Sequence, residues 1–140
     1  MLERIEAGRV TEGRVVEMLS PEQATSSGTP FGAQVQALMI KAAYLVASRY
    51  ARLPVVLVST EKVESHAPVK EGQLIEIVSR VVHTGRTSVT LDVDLYTEGL
   101  LTGERRLGRR GRIVFVALDD AGRPTSVPSL PTTTALHEVA

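Results

Sequence analysis

The sequence predicts an α+β fold in which an antiparallel sheet wraps one long helix. Two observations lead to this prediction. Apolar residues recur with a helical period over about five turns near residue 40, and almost everything after residue 54 is typical of strands joined by short connections. A chain of 140 residues suits one domain. We expect a single domain over residues 1–130, followed by a flexible Ser/Thr/Pro-rich tail over residues 131–140.

The first predicted element is a strand over residues 10–19. Its middle is β-branched and apolar at Val15 and Val16, and Ser20-Pro21 ends it. Residues 22–30 are polar and contain almost nothing to bury, which is typical of a loop that approaches the next element from outside.

A helix is predicted over residues 31–50. Lys41 is its only ionised residue between Gly32 and Ser48, so we expect other elements to cover most of its surface. Its apolar residues are spaced by three and four: Val35, Leu38, Met39, Ala42, Leu45 and Val46.

Four further strands are predicted over residues 55–63, 72–84, 87–97 and 110–119. The second and third of these form a hairpin, because Gly85 supplies the flexibility that a tight turn requires. With the first strand they give a sheet of at least five strands.

Composition excludes several classes of protein. Sixteen basic and sixteen acidic residues leave no net charge to attract nucleic acid or an anionic membrane. The absence of Cys excludes disulfides, thiolate metal sites and a cysteine nucleophile, and the three histidines are too isolated to predict a metal site. Charges at the N-terminus argue against a signal peptide, and the longest apolar stretch is too short to span a membrane. We therefore expect a cytoplasmic protein with no nucleic-acid or membrane partner.

Five segments of the chain follow one another in the order and spacing of a known family. They are Pro21 with residues 28–33, residues 67–72, residues 85–88, residues 114–119, and Gly122 with Pro124 and residues 127–128. These segments resemble the hotdog-fold acyl-CoA thioesterases, and more narrowly their branch of small acyl-CoA hydrolases. The resemblance implies a central helix wrapped by five to six antiparallel strands. It also implies a homodimer or a higher homo-oligomer (tetramer or hexamer) with acyl-CoA sites between subunits, and no cofactor beyond the coenzyme A of the substrate.

The N-terminus of the central helix is a candidate oxyanion site, at Gly32, Ala33 and Gln34. Unpaired backbone N–H groups and the positive end of the helix dipole suit a thioester oxygen that gains negative charge during hydrolysis. Alternatively, Gly32 and Ala33 only let the helix pack closely on the sheet. Gln34 and Lys41, one heptad apart, form either a polar lining or a solvated seam.

The catalytic residues that the family implies are not retained. The family's loop Asn falls on Thr25 and its helix Asp on Ile40, which cannot accept a proton. We therefore predict a catalytic group of Thr25, His66 and Glu64, because histidine suits base chemistry near neutral pH and some distant hotdog thioesterases use Thr with His and Glu. The alternative is that His66 is a structural or surface residue.

A basic group is the candidate site for the phosphates of coenzyme A. Strand alternation places Arg110 and Arg112 on one face, and Arg86 lies in the hairpin with Thr87 and Ser88. Guanidinium groups pair bidentately with phosphate oxygens. Equally, these arginines can be a solvated strand face that discourages association at the sheet edge.

The sequence thus predicts an acyl-CoA thioester hydrolase, an enzyme that releases free coenzyme A and a carboxylic acid by water attack. A non-catalytic acyl-CoA binder or sensor is the alternative, favoured by Ile40 and Thr25. A hotdog dehydratase is a weaker alternative, because the helix lacks the Asp and His that it requires.

Overall fold

The structure, a computed structural model, describes residues 8–18, 32–70 and 72–130. These residues form one helix and five strands. The helix α1 is Gly32–Ala51, and the strands are β1 Glu12–Met18, β2 Val55–Ser65, β3 Leu74–Thr84, β4 Ser88–Glu98 and β5 Arg105–Ala117. The predicted α+β class is confirmed, and each predicted element is present.

All neighbouring strands of the sheet are antiparallel, in the order β1-β3-β4-β5-β2. The predicted hairpin joins β3 to β4, and the Gly85 amide donates to the Ser88 carbonyl at 3.0 Å to close it. Among the described residues, β1 and β2 are the two edges of the sheet.

The core lies between α1 and one face of the sheet. Strand alternation sends every second side chain of β4 and β5 toward the helix, and these side chains are almost completely buried. The helix contributes Met39, Ala43 and Ala47, all fully buried. Small residues on α1 therefore let the helix lie close to the sheet. The described residues cover less of the helix than the sequence predicts, because Tyr44 and Leu45 are 44% and 45% exposed.

Two β-bulges lie near the same end of the sheet. In β2, Glu61 pairs with Arg112 and Glu64 with Arg110, so one extra residue is accommodated there, and Lys62 adopts a left-handed φ of 51°. In β5, Leu95 pairs with Arg109 and Tyr96 with Leu107, which leaves Gly108 as the extra residue. The bulges decide which way the charged side chains of both strands point.

The last strand begins earlier than the sequence predicts. Residues 105–109 were expected to lie outside the strand, yet Arg105 and Arg106 pair with Glu98 and Thr97 of β4. A run of Arg and Gly has weak strand propensity, and here the pairing with β4 overrides it. Thr25, part of the predicted catalytic group, and the predicted tail 131–140 lie outside the described residues.

Candidate functional site

A cavity of about 320 Å³ lies at the N-terminus of α1. The first residue of the helix, Gly32, lines it on one side, and the chain that leaves β2 lines it on the other. That chain continues along β5, because the His66 amide donates to the Gly108 carbonyl at 2.8 Å and the Ala67 amide to the Leu107 carbonyl at 3.2 Å. The full lining is Gly32, Val35, Ser65, His66, Ala67, Pro68, Val69, Gly108 and Arg109.

The structure brings together two residues of the predicted catalytic group. Nε2 of His66 lies 3.4 Å from Oε1 of Glu64, and the two side chains are 43% and 55% exposed. A solvent molecule or a substrate can therefore reach the imidazole. Glu64 also faces Arg110 across the strand pair, so the carboxylate lies between two cationic or potentially cationic groups.

The three candidate oxyanion residues lie in the first turn of α1, where Gly32 and Ala33 are exposed and Gln34 is partly buried. The first turn contains no acidic residue to neutralise the positive end of the helix dipole. The backbone at this end of the helix is thus accessible, and its electrostatic character suits a developing negative charge.

Arg109 belongs to this site, and the sequence analysis missed it. Its Nη1 donates to the Gly32 carbonyl at 3.1 Å, and the residue lines the cavity. The sequence does contain a pattern that identifies Arg109. Strand alternation puts Arg109 on the helix-facing side of β5 together with Gly111 and Ile113. It is the one ionised residue of the helix-facing series from 109 to 117.

Arg110 and Arg112, predicted to bind the phosphates of coenzyme A, lie on the sheet face away from α1 and pair with carboxylates. Arg110 Nε donates to Asp94 at 3.0 Å, and Arg112 makes a bidentate contact with Asp92 at 2.7 and 3.1 Å. The hydrogen bonds that both guanidinium groups donate to these carboxylates raise their pKa. These contacts favour the solvated, ion-paired strand face that the sequence left open, and the phosphate role stays a prediction.

The other predicted phosphate ligands lie at the opposite end of the sheet. Arg86, Thr87 and Ser88 form the tip of the β3–β4 hairpin, where Ser88 pairs with Val116. Arg109, by contrast, pairs with Leu95, seven residues along β4, which corresponds to roughly 23 Å at the usual rise of a strand. Within one chain, therefore, the hairpin tip and the cavity are far apart.

Ile40, at the position of the family's helix Asp, is partly buried and packs against the core. It contributes no polar group to the cavity. In residues 8–18, 32–70 and 72–130, no cluster of three or more His, Asp and Glu side chains is placed to hold a metal ion. The one helix of these same residues is not apolar enough over a sufficient length to cross a membrane.

A long helix packed on an antiparallel sheet, with a cavity at the helix N-terminus, indicates the hotdog-fold class of thioesterases. The sequence profile of the thioesterase superfamily matches residues 27–104. A Zymomonas mobilis protein named an uncharacterized acyl-CoA thioester hydrolase is 33% identical over 127 residues, which cover 91% of this chain and 84% of that protein. The chain therefore belongs to the thioesterase superfamily.

Solved structures agree with this assignment. An apo-hexameric acyl-CoA thioesterase superposes with a TM-score of 0.82 at 30% identity and covers 91% of this chain and 89% of its own. An acyl-CoA hydrolase from Staphylococcus aureus, solved with butyryl coenzyme A and coenzyme A, gives a TM-score of 0.82 at 26% identity and covers 91% of this chain and 84% of its own. The hotdog fold that the sequence resemblance implied is confirmed.

Proposed function

We propose that this chain hydrolyses acyl-CoA thioesters, with the thioester at the N-terminus of α1 and His66 as the base. The proposal rests mainly on one observation: a single cavity is lined both by Gly32, at the start of the helix, and by His66. An electrophile held by the helix N-terminus then lies in the same open cavity as a base. The names of the relatives support the acyl-CoA substrate.

The reaction needs one water molecule and no further reagent. Water attacks the carbonyl carbon while His66 takes its proton, and the carbonyl oxygen becomes an oxyanion at the backbone N–H groups of the first helical turn. The oxyanion then re-forms the carbonyl, the carbon–sulfur bond breaks, and the proton returns to the sulfur. The products are a carboxylic acid and free coenzyme A. We expect no other cofactor, a prediction that rests on the sequence.

Glu64 fixes the tautomer of His66 in this proposal. When the proton of the neutral imidazole is on Nε2, which lies 3.4 Å from the Glu64 carboxylate, the lone pair of Nδ1 is available to water. Glu64 also stabilises the imidazolium that forms when the proton is transferred. Thr25 keeps its predicted role of orienting the water, which rests on the sequence alone.

We further propose that the active form is a homo-oligomer in which β2 pairs with β2 of a second copy. The strand is eleven residues long, and Val56, Leu57, Val58 and Val63 on it are exposed. Tyr44 on α1, also exposed, contacts Phe115, which pairs with Leu57. An exposed apolar edge strand beside an exposed aromatic is typical of a surface that another chain covers.

Antiparallel pairing of β2 with its copy removes the separation along the strand direction between the hairpin tip of one subunit and the cavity of the other. Val55 of β2 lies at the hairpin-tip end of the sheet and Ser65 at the cavity end. A two-fold axis across β2 therefore brings the hairpin-tip end of one subunit to the cavity end of the other. In this arrangement Arg86 of the partner subunit binds the phosphates of the coenzyme A whose thioester reaches His66.

The decisive experiment is thiol release from a panel of short, long, branched and aromatic acyl-CoAs. Because the chain has no cysteine, the protein adds no background to a thiol reagent. We expect turnover of at least one chain class. Absence of release from every member would contradict the proposed hydrolysis.

Variants of the catalytic pair test the mechanism. We expect His66→Ala to lower kcat about 10²- to 10⁴-fold, the usual contribution of a general base, and Glu64→Gln to lower it less. His83→Ala is the matched control, since His83 is an exposed histidine of β3 and does not line the cavity. If His66→Ala and Thr25→Ala both keep wild-type turnover, water activation by these residues is wrong even though the class of enzyme stands.

Ile40 favours a second candidate function, an acyl-CoA binder or sensor without turnover. A partly buried isoleucine cannot replace the carboxylate that the family implies at this position. Saturable binding of one acyl-CoA without thiol release would establish this function in place of hydrolysis.

The cytoplasmic location predicted from the sequence stays a prediction.

A further inference from the structure

Arg109 contacts the first peptide unit of α1 from the side of its carbonyl group. Its Nη1 donates to the carbonyl oxygen of Gly32 at 3.1 Å. The nitrogen of this same peptide unit belongs to Ala33, one of the candidate oxyanion donors. A peptide unit is conjugated, so a cation at its oxygen draws electrons from its nitrogen and strengthens the N–H as a donor.

We propose that Arg109 is a positioning residue that strengthens oxyanion binding by polarising the peptide unit between Gly32 and Ala33. This inference rests on the proposed hydrolysis, because it assigns Arg109 a part in that reaction. Arg109 acts through the backbone and does not touch the reacting atoms. It also holds the first turn of the helix against β5, so the N–H groups there keep a fixed direction.

The charge of Arg109 does not suit a purely structural role. Cations stabilise the C-terminal ends of helices and are unfavourable at the N-terminal ends, and the first turn of α1 has no acidic residue to compensate. In addition, Nε of Arg109 is buried and makes no hydrogen bond within the described part of the chain. A desolvated donor without a partner costs free energy. Stability alone therefore does not explain an arginine at this position.

Two nearby glycines leave space for the side chain of Arg109 in this position. A Cβ on Gly32 would lie 3.3 Å from Nη1 of Arg109, closer than most real Cβ contacts. Gly108, the bulged residue directly before Arg109, lines the same cavity. The bulge and the absence of a side chain at residue 32 let the guanidinium reach the Gly32 carbonyl.

Kinetics of Arg109 variants test the proposal. Arg109→Met keeps the length of the side chain and removes the charge, so we expect kcat to fall on the order of 10-fold with little change in KM, less than the loss from removing an oxyanion donor itself. Arg109→Lys keeps the charge on a single donor nitrogen and should restore part of the loss. Arg106→Met is the control, because Arg106 is an exposed β5 arginine that pairs with Glu104. Wild-type kcat in Arg109→Met, in an enzyme whose wild type releases thiol, would overturn the inference and leave the proposed hydrolysis intact.

NMR tests the state of the same peptide unit independently of turnover. The backbone ¹⁵N resonance of Ala33 responds to a hydrogen bond at the Gly32 carbonyl. We expect the Ala33 resonance to move in Arg109→Met more than the backbone ¹⁵N resonances of the last three turns of α1. It should move less in Arg109→Lys and stay in place in Arg106→Met. An Ala33 resonance that does not move in a folded Arg109→Met protein, or in Arg109→Leu if the former does not fold, overturns the inference whether or not the wild type is active.

Discussion

Gly13 lets β1 approach the central helix more closely than any residue with a side chain could. It lies on β1 opposite Ser79, which is completely buried. A Cβ on Gly13 would lie 2.7 Å from Cγ2 of Val46 on α1, a separation that real Cβ atoms essentially never show. A glycine inside a strand often marks a close approach of this kind, although here the sequence alone did not say which element approaches.

We expect Gly13→Ala to lower the free energy of unfolding by about 1–3 kcal/mol, because the added methyl must displace a well-packed core residue. Urea unfolding of the purified variant measures this change. Gly8→Ala is the control, since a Cβ there meets nothing within 4 Å. Equal stability of the two variants would show that β1 shifts away from the helix without cost.

Single residues of the site were predictable where the sequence carries their spacing. His66 and Glu64 are two residues apart in an extended segment, so their side chains could meet, and the structure places them 3.4 Å apart. Arg109 was missed because it lies within a run of arginines, and such a run is typical of a single charged surface. Its partner, the Gly32 carbonyl, is 77 residues away, and no local pattern reports a contact at that separation.

The C-terminal end of α1 is tied to the chain that follows β5. The hydroxyl of Tyr50 donates to the Pro128 carbonyl at 2.7 Å, and the Val127 amide donates to the Arg86 carbonyl at 2.9 Å. Tyr50 is almost completely buried, and this burial raises the pKa of its phenol more than nearby Arg9 lowers it. A raised pKa means that the folded protein holds this proton at a pH where the unfolded chain loses it.

Stability should therefore fall as the pH rises above 10.0, the ordinary pKa of tyrosine, because deprotonation then favours the unfolded chain. Tyr50→Phe removes this titration. At pH 7 we expect this variant to be less stable by about 1 kcal/mol, from loss of the hydrogen bond to Pro128. Above pH 10 the difference from wild type should shrink. Chemical unfolding of both proteins from pH 7 to 11 measures the two effects, and parallel pH profiles would contradict the role given to Tyr50.

Elements were predictable to the extent that their pattern is local. The helix and the β3–β4 hairpin follow from periodicity and from Gly85, and their observed bounds agree closely with the predicted ones. The bulges were not predictable, because a bulge depends on the partner strand. Both bulged strands extend beyond the predicted limits: β2 continues past Val63 to Ser65, and β5 begins at Arg105.

On the scale of the whole molecule, the two faces of the sheet differ in character. The face away from α1 carries ion pairs across β1, β3, β4 and β5, such as Arg112 with Asp92 and Arg14 with Glu76. These pairs are at least partly exposed, so each contributes little to stability, but together they keep this face polar. The β2 edge differs from this polar face because its exposed residues are apolar. This difference favours pairing of β2 with a second copy over exposure of the edge to solvent.

Val58→Lys tests this edge. Val58 is 57% exposed and lies at the irregularity between Leu57 and Ser59 in β2, so a lysine there need not disturb the core of the subunit. It places a charge where two copies of β2 would meet, and we expect a homo-oligomer to become a smaller species in light scattering coupled to size-exclusion chromatography.

Leu101→Lys is the control, because Leu101 is 95% exposed and precedes β5. It should keep the wild-type mass. If Val58→Lys lowers the mass and thiol release together, the site needs residues from both subunits, as expected when Arg86 and His66 of one chain lie at opposite ends of its sheet. If the mass falls while turnover persists, one subunit holds the whole site, and the phosphates must bind near the cavity of the same chain. A wild-type mass in Val58→Lys would show that β2 is not the surface through which copies pair.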